Sequence, residues 1–205
     1  MACSASFIGI NRNRLATDGE GVTTLVAFWG CPLACKYCLN PQSWKENSDL
    51  RVFTAEELYN IVKIDELYFL ATCGGVTFGG GEPCLYPDFI KEFRKYCGDQ
   101  WKITVETSLN IPQENLQTLY PYIDDYIIDI KDINNDIYKK YTGKDNLLPI
   151  ANLKWLIEQG KANNVKVRVP LIPNFNTKKN TDETVSALKE MGVKQIETFS
   201  YIIRP

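Results

Sequence analysis

The chain has 205 residues, a formal net charge of −2, 44% hydrophobic and 23% charged residues. That is the balance of a soluble folded chain, long enough for one domain over residues 1–205 with a sizeable core. No basic tract marks a nucleic-acid surface, no apolar run reaches the roughly 18 residues that span a bilayer, and residues 1–10 lack the pattern of a secretory leader. Seven cysteines and no histidine, without export, fit the reducing cytoplasm.

Residues 1–21 are polar, with Arg12, Arg14, Asp18 and Glu20, and read as an N-terminal segment with room for a short hairpin. The apolar run 22–28 gives a first strand, followed by a cysteine-rich loop and a polar stretch over 40–49. Thr54 with Glu57 three residues on forms a capping box, opening a helix to about residue 64. A second strand over 75–78 runs into a glycine turn at 79–82, and Pro87 with Asp88 starts a helix to about residue 96. Strands at 103–106, 126–130, 165–170 and 195–199 follow, alternating with helices at 113–119, 135–141, 150–161 and 181–191. This alternation implies a parallel sheet with right-handed crossovers. No internal repeat, low-complexity segment or linker interrupts it.

Cys31, Cys35 and Cys38 fall within eight residues, spaced C-x3-C-x2-C, directly after the first strand. Thiolates at such local spacings hold Fe–S clusters. A [4Fe-4S] cube bound by three cysteines leaves one iron open to a small molecule, the logic that separates catalytic from structural metal sites. A disulfide with a spare thiol, a zinc site completed by another cysteine or a carboxylate, and plain buried packing are the alternatives that spacing leaves open.

C-x3-C-x-Tyr-C after a first strand, with Tyr37 before the last cysteine, resembles the signature of the radical S-adenosylmethionine (SAM) enzymes. Gly79-Gly80-Gly81-Glu82-Pro83 resembles their GGEP motif. Asp129-Ile130-Lys131 is similar to the D-x-K segment of the glycyl-radical-enzyme activases, the branch that includes pyruvate formate-lyase activating enzyme. The resemblance runs from about residue 17 to 200. It implies a partial (β/α)6 TIM-like barrel with its site at the C-terminal strand ends, where the cysteine loop, the glycine turn, Glu106 and Asp129 to Lys131 all fall. In the activases the segment matching residues 1–21 lies over the barrel mouth.

The resemblance also implies roles. Cys31, Cys35 and Cys38 would ligate a [4Fe-4S] cluster whose fourth iron is chelated by SAM, which is cleaved reductively to a 5′-deoxyadenosyl radical. Tyr37 and Leu39 would pack on adenine, with loop packing the plainer role for Tyr37. Gly80, Gly81 and Glu82 would lie against the methionyl ammonium, the missing side chains letting backbone approach the ligand. Lys131 would pair the SAM carboxylate and Asp129 orient ribose, lysine or a cation, unless the two are a surface pair. Glu106 and Thr107 stand where the activases carry D-T-N-G and help hold a monovalent cation. Arg168, in a run resembling R-x-P-L-I-P, would meet a carboxylate if it faces the interior.

Two departures stand out. The family's histidine after the sixth strand is absent; either Ser200 or Tyr201 stands in for it, or nothing does. The C-terminal extension of larger activases and an eight-iron insertion are also missing, and an open lateral side would admit a protein loop. Cys84 is expected near the site, Cys3 and Cys97 as structural thiols. The expected activity is hydrogen abstraction from a backbone glycine of a partner enzyme. Such a partner would be a pyruvate formate-lyase-like enzyme or an anaerobic ribonucleotide reductase, with a flavodoxin or ferredoxin as electron donor. Modification of a peptide or small molecule, and a non-catalytic metal-binding module, are the competing readings.

Overall fold

Eight strands in one sheet carry the molecule. The computed structural model describes residues 3–15, 17–45 and 50–202. The strands are β1 (Ser4–Leu15), β2 (Val22–Phe28), β3 (Arg51–Thr54), β4 (Gly75–Gly80), β5 (Lys102–Thr107), β6 (Asp125–Asp129), β7 (Val165–Leu171) and β8 (Gln195–Ser200). Their order is β3-β1-β2-β4-β5-β6-β7-β8. The six from β2 onward, β3 excepted, pair in parallel, and β1 is antiparallel to both β2 and β3. The parallel strands are the six expected ones, shifted at their ends by no more than two residues.

The helices are α1 (Ala55–Val62), α2 (Glu66–Thr72), α3 (Pro87–Cys97), α4 (Gln113–Leu119), α5 (Asn135–Thr142), α6 (Leu147–Glu158) and α7 (Lys178–Glu190). The sheet they flank obeys the two-residue strand period. Val76 and Phe78, Ile103 and Val105, Tyr126 and Ile128, and Val165, Val167 and Val169 enter one apolar core. Glu106, Asp129 and Arg168, on the alternate positions, stay partly exposed on the other face. That alternation is what places charge inside the half-barrel.

Several elements depart from expectation. The N-terminal segment is a 12-residue strand rather than a hairpin. Its outer half is polar and its pairing with β2 is interrupted by two register shifts, so no clean alternation advertises it. Residues 17–21 do not cover the barrel mouth. Thr77, at mid-strand in β4, donates to the Asp18 carbonyl, and Gly19 lies against Thr77 and mid-strand Thr104 of β5, beneath the strand ends. Helix α2 escapes the periodicity because Leu67, Tyr68 and Leu70 are exposed and only Phe69 is buried. Helix α7 starts early because Asn180, rather than Glu or Gln, closes its capping box with Thr177. The Thr54–Glu57 capping box forms as expected. Part of the expected polar stretch, residues 46–49, lies outside the described residues. Among the described residues no helix is long and apolar enough to cross a membrane.

The β1 edge is tied down by Asp65, which is fully buried and accepts from Arg12 Nε at 2.8 Å and the Thr24 hydroxyl at 2.7 Å. Burial raises its carboxyl pKa, but the bonds from Arg12 and Thr24 outweigh it and hold the group below the usual range. A depressed carboxyl stabilises the fold above its unfolded pKa of about 3.9 and loses that contribution as pH falls through the folded value. Asp65→Asn therefore lowers the melting temperature by roughly 2–8 °C at pH 7. Melts at successively lower pH will show the gap to wild type closing below about pH 4.

Candidate active site at the C-terminal strand ends

Strand β2 ends where the cysteine loop begins, and backbone bonds fix that loop from both sides. Gly30 N–H donates to Ser43 O at 2.6 Å; Ala34 and Lys36 donate to the carbonyls of Thr142 and Tyr141 at 2.9 and 3.1 Å. The loop thereby satisfies orphan carbonyls in the last turn of α5. Cys38 N–H closes a turn onto Cys35 O at 3.2 Å. All three thiols are free and half-buried, and all three line a cavity of about 180 Å³. Desolvation pushes the Cys31 thiol up to about 12 and that of Cys35 up to about 11. Without a cation to bind they stay protonated, so their ligand chemistry waits on metal.

The glycine turn is built differently from expectation. Gly80 has φ +89°, and a Cβ there would stand 2.5 Å from Ala27 Cβ; one on Gly81 would stand 2.2 Å from Gly30 O. The absent side chains make room for the exit of β2, and both glycines line the cavity. Gly81 and Glu82 N–H then donate to Phe28 and Gly30 carbonyls at 2.9 and 2.7 Å. The glycines lock the turn to the cysteine loop. Gly81→Ala is expected to cost about 1–3 kcal/mol and to weaken ligand binding in the cavity, as thermal melts and ligand titration will show.

Glu82 is buried, with all its acceptor positions used. Its Oε1 accepts from the Thr107 hydroxyl at 2.6 Å and Cys84 N–H at 3.3 Å; Oε2 accepts from Ser108 N–H at 2.9 Å and its hydroxyl at 2.7 Å. Burial raises its pKa against the pull of those donors. Expected as an ammonium contact, Glu82 instead clamps the β4 turn to the end of β5. Thr107 is likewise committed to that clamp.

Across the cavity runs a chain of charges. Arg168 Nη1 donates to Glu106 Oε1 at 3.0 Å and its Nε to Asp129 Oδ1 at 2.8 Å; Lys131 Nζ donates to Asp129 Oδ2 at 2.9 Å and to Tyr201 Oη at 3.1 Å. Arg168 faces inward, and the register sets it directly beside Asp129. Burial raises the Asp129 pKa, yet Lys131 and Arg168 hold its carboxyl below the ordinary range. Glu106 sits above its range, through burial and the nearby Asp129 and Asp18 charges, with Arg168 opposing. Lys131, nearly buried, is kept protonated by Asp129 and Tyr201 despite desolvation.

Cys31, Cys35, Cys38 and each SAM-binding candidate line this one cavity. Leu39, however, is 85% exposed at the rim. Tyr37 is held by the Phe175 and Tyr141 rings, with centroids 5.6 and 6.1 Å away, and accepts from Asn174 Nδ2 at 3.2 Å, so it braces the loop. Cys84 is buried in the core and does not reach the cavity. Leu33, Asn40, Ser108 and Tyr141 line it without having been expected. Only Ser108, next to Thr107, carried a local signal.

A model of the radical SAM superfamily matches residues 26–183. The chain belongs to the radical SAM superfamily. It is similar to the pyruvate formate-lyase-activating enzyme of Clostridium pasteurianum, with 31% identity over 192 residues covering 90% of this chain and 77% of that protein. It is also similar to the choline trimethylamine-lyase activating enzyme of Oleidesulfovibrio alaskensis, with 30% identity covering 78% of this chain and 70% of the relative. Its fold is shared by Streptococcus suis SuiB bound to S-adenosylmethionine, with a TM-score of 0.66 and 18% identity. That match covers 88% of this chain and 42% of the larger protein.

This radical SAM enzyme is thus an oxidoreductase of a superfamily that cleaves SAM through an Fe–S cluster, and the partial barrel is as expected. The donor set fits those cofactors. Among the described residues no three His, Cys, Asp or Glu side chains converge closely enough to hold one metal ion. The three thiols border one cavity together with Lys131 and the glycine turn. Tyr141, 1% exposed on the cavity wall, has a buried hydroxyl with no partner among the described residues. A monovalent cation fits poorly, because Arg168 already bridges Glu106 and Asp129.

Proposed function

We propose that this enzyme activates a glycyl radical enzyme. What carries the reading is identity of about 30% to activating enzymes over most of the chain, with the Asp129–Lys131 segment seated beside the cysteine loop. Cys31, Cys35 and Cys38 would hold a [4Fe-4S] cluster. Lys131 would pair the SAM carboxylate, and the ammonium would meet the carbonyls of Gly81 and of Gly80, whose oxygen also accepts from Asn40 Nδ2 at 3.3 Å. Arg168 would do electrostatically what a monovalent cation does in the activases. Glu82, Thr107 and Tyr37 position the loops around the site, and Leu39 forms its rim.

When bound, these cofactors supply a C–S cleavage driven by one electron from a flavodoxin- or ferredoxin-type donor, and a hydrogen taken from a glycine Cα of the partner. The protein's part is to exclude water and hold charge in place. A cytoplasmic, anaerobic setting goes with this reading.

The test is anaerobic incubation of the reconstituted protein with SAM, a reductant and the pyruvate formate-lyase served by the Clostridium relative. A glycyl radical in the electron paramagnetic resonance spectrum, absent when SAM is omitted, is the expected result. SAM cleavage with no radical on that lyase or on choline trimethylamine-lyase would favour a peptide or small-molecule substrate.

A further inference from the structure

Lys131 and Tyr201 present an unused pair of protons at one corner of the cavity. An ammonium has three protons and no acceptor. Lys131 gives one to Asp129 Oδ2 and one to Tyr201 Oη, so the third is free. Because Tyr201 Oη accepts from lysine, its own O–H proton stays available, with the neighbouring Tyr141 hydroxyl the one other protein group, among the described residues, that shares this corner with it. Asp129 does not take that proton: Oδ1 is bonded by Arg168 and Oδ2 by Lys131, and the lone pair left on each oxygen is not bonded to Tyr201. The corner therefore presents two donor protons to the cavity.

The position of Tyr201 is fixed rather than incidental. Its N–H donates to Leu171 O at 3.0 Å, continuing the β7–β8 pairing past the end of β8. Its ring packs on Phe199 and Tyr141 with centroids 5.5 and 6.4 Å away. Lys131 Nζ lies 5.7 Å from the centre of the same ring, out beyond its hydroxyl, as the hydrogen bond to Oη requires. Cys35 borders the same cavity.

We infer that Tyr201 is a SAM-binding residue whose phenol donates, together with Lys131, to the two oxygens of the methionyl carboxylate. This rests on the radical SAM reading and extends it to a position where the family's histidine is missing. A neutral phenol beside an ammonium recognises a carboxylate without adding charge to a network already balanced by Glu106, Arg168, Asp129 and Lys131. Ser200, the other residue able to replace the histidine, is exposed and lies outside the cavity.

The experiment compares SAM with its analogue lacking the α-carboxylate, by anaerobic equilibrium binding to reconstituted protein. Tyr201→Phe keeps the ring and removes only the proton. It is expected to weaken SAM binding about tenfold while leaving the decarboxylated analogue unaffected, so discrimination between the two falls by the same factor. Ser200→Ala should match wild type for both. Equal weakening of both ligands in Tyr201→Phe, or no weakening, would overturn the inference. Failure of wild type to bind SAM at all would overturn the radical SAM reading, and this inference with it.

Discussion

Cys35→Ala is expected to reduce SAM cleavage to the background given by the reductant alone. Reconstituted wild-type protein should carry about four irons with matching sulfide, and the variant substantially less. The reason is geometric as well as chemical. Cys35 sits between Ala34 and Lys36, whose N–H groups are bonded to the end of α5, so no neighbouring thiol can move into its place. Cys84 and Cys97 are buried in the core and Cys73 is exposed away from the cavity. None is a substitute ligand. The fold should survive, because the thiol is half-buried and makes no hydrogen bond that the backbone depends on. A melting temperature of the metal-free variant within about 4 °C of wild type would verify that. Cys73→Ala is the control and should retain iron and cleavage. One zinc per chain in wild type, with no cleavage under any reductant, would contradict the cluster assignment.

The parallel strands and the cysteine loop were legible because they are local. A strand buried on one face writes itself into alternate residues, and three cysteines within one loop declare their chemistry by spacing. The partners that make the site work were not legible. Glu82 looked like a ligand contact because it follows a glycine run; only the fold reveals that Thr107 and Ser108, some 25 residues later, spend its acceptors. Tyr141 reaches the cavity because the cysteine loop docks on α5, a contact between segments roughly 100 residues apart that no periodicity encodes. The packing role of the glycines was hidden in a similar way. Both line the cavity, and a Cβ on either would also strike the exit of β2. Strand β1 was obscured because only its first half, with Ala5 and Phe7, enters the core, while its polar second half is held by backbone pairing and ion pairs such as Arg12–Asp65.

Arg168 was readable as a residue but not as a keystone. It lies between two carboxylates, Glu106 and Asp129, with side chains 22%, 18% and 25% exposed, so water screens the three only in part. Removing the guanidinium leaves like charges facing each other at the cavity wall. Arg168→Gln is therefore expected to destabilise the protein by about 3 kcal/mol at neutral pH, the lower end for breaking a buried pair, or roughly 6–12 °C in melting temperature. The sign of the pH dependence follows from the same charges. Both carboxyls lose a cation that lowers their pKa, so in the variant Glu106 rises further and Asp129 rises from its depressed value, and the penalty grows as pH rises through them. Wild type and variant should differ most at pH 7.5, draw together as Glu106 protonates, and converge only below about pH 4, where Asp129 of the wild type protonates as well. Added potassium or sodium chloride should raise the melting temperature of Arg168→Gln more than equimolar choline chloride, and leave wild type without that preference. A wild-type preference for small cations would mean that Arg168 yields its place to an ion. If instead the variant alone acquires the preference, and regains part of its SAM affinity in the same salt, the guanidinium is the built-in counter-charge of this site.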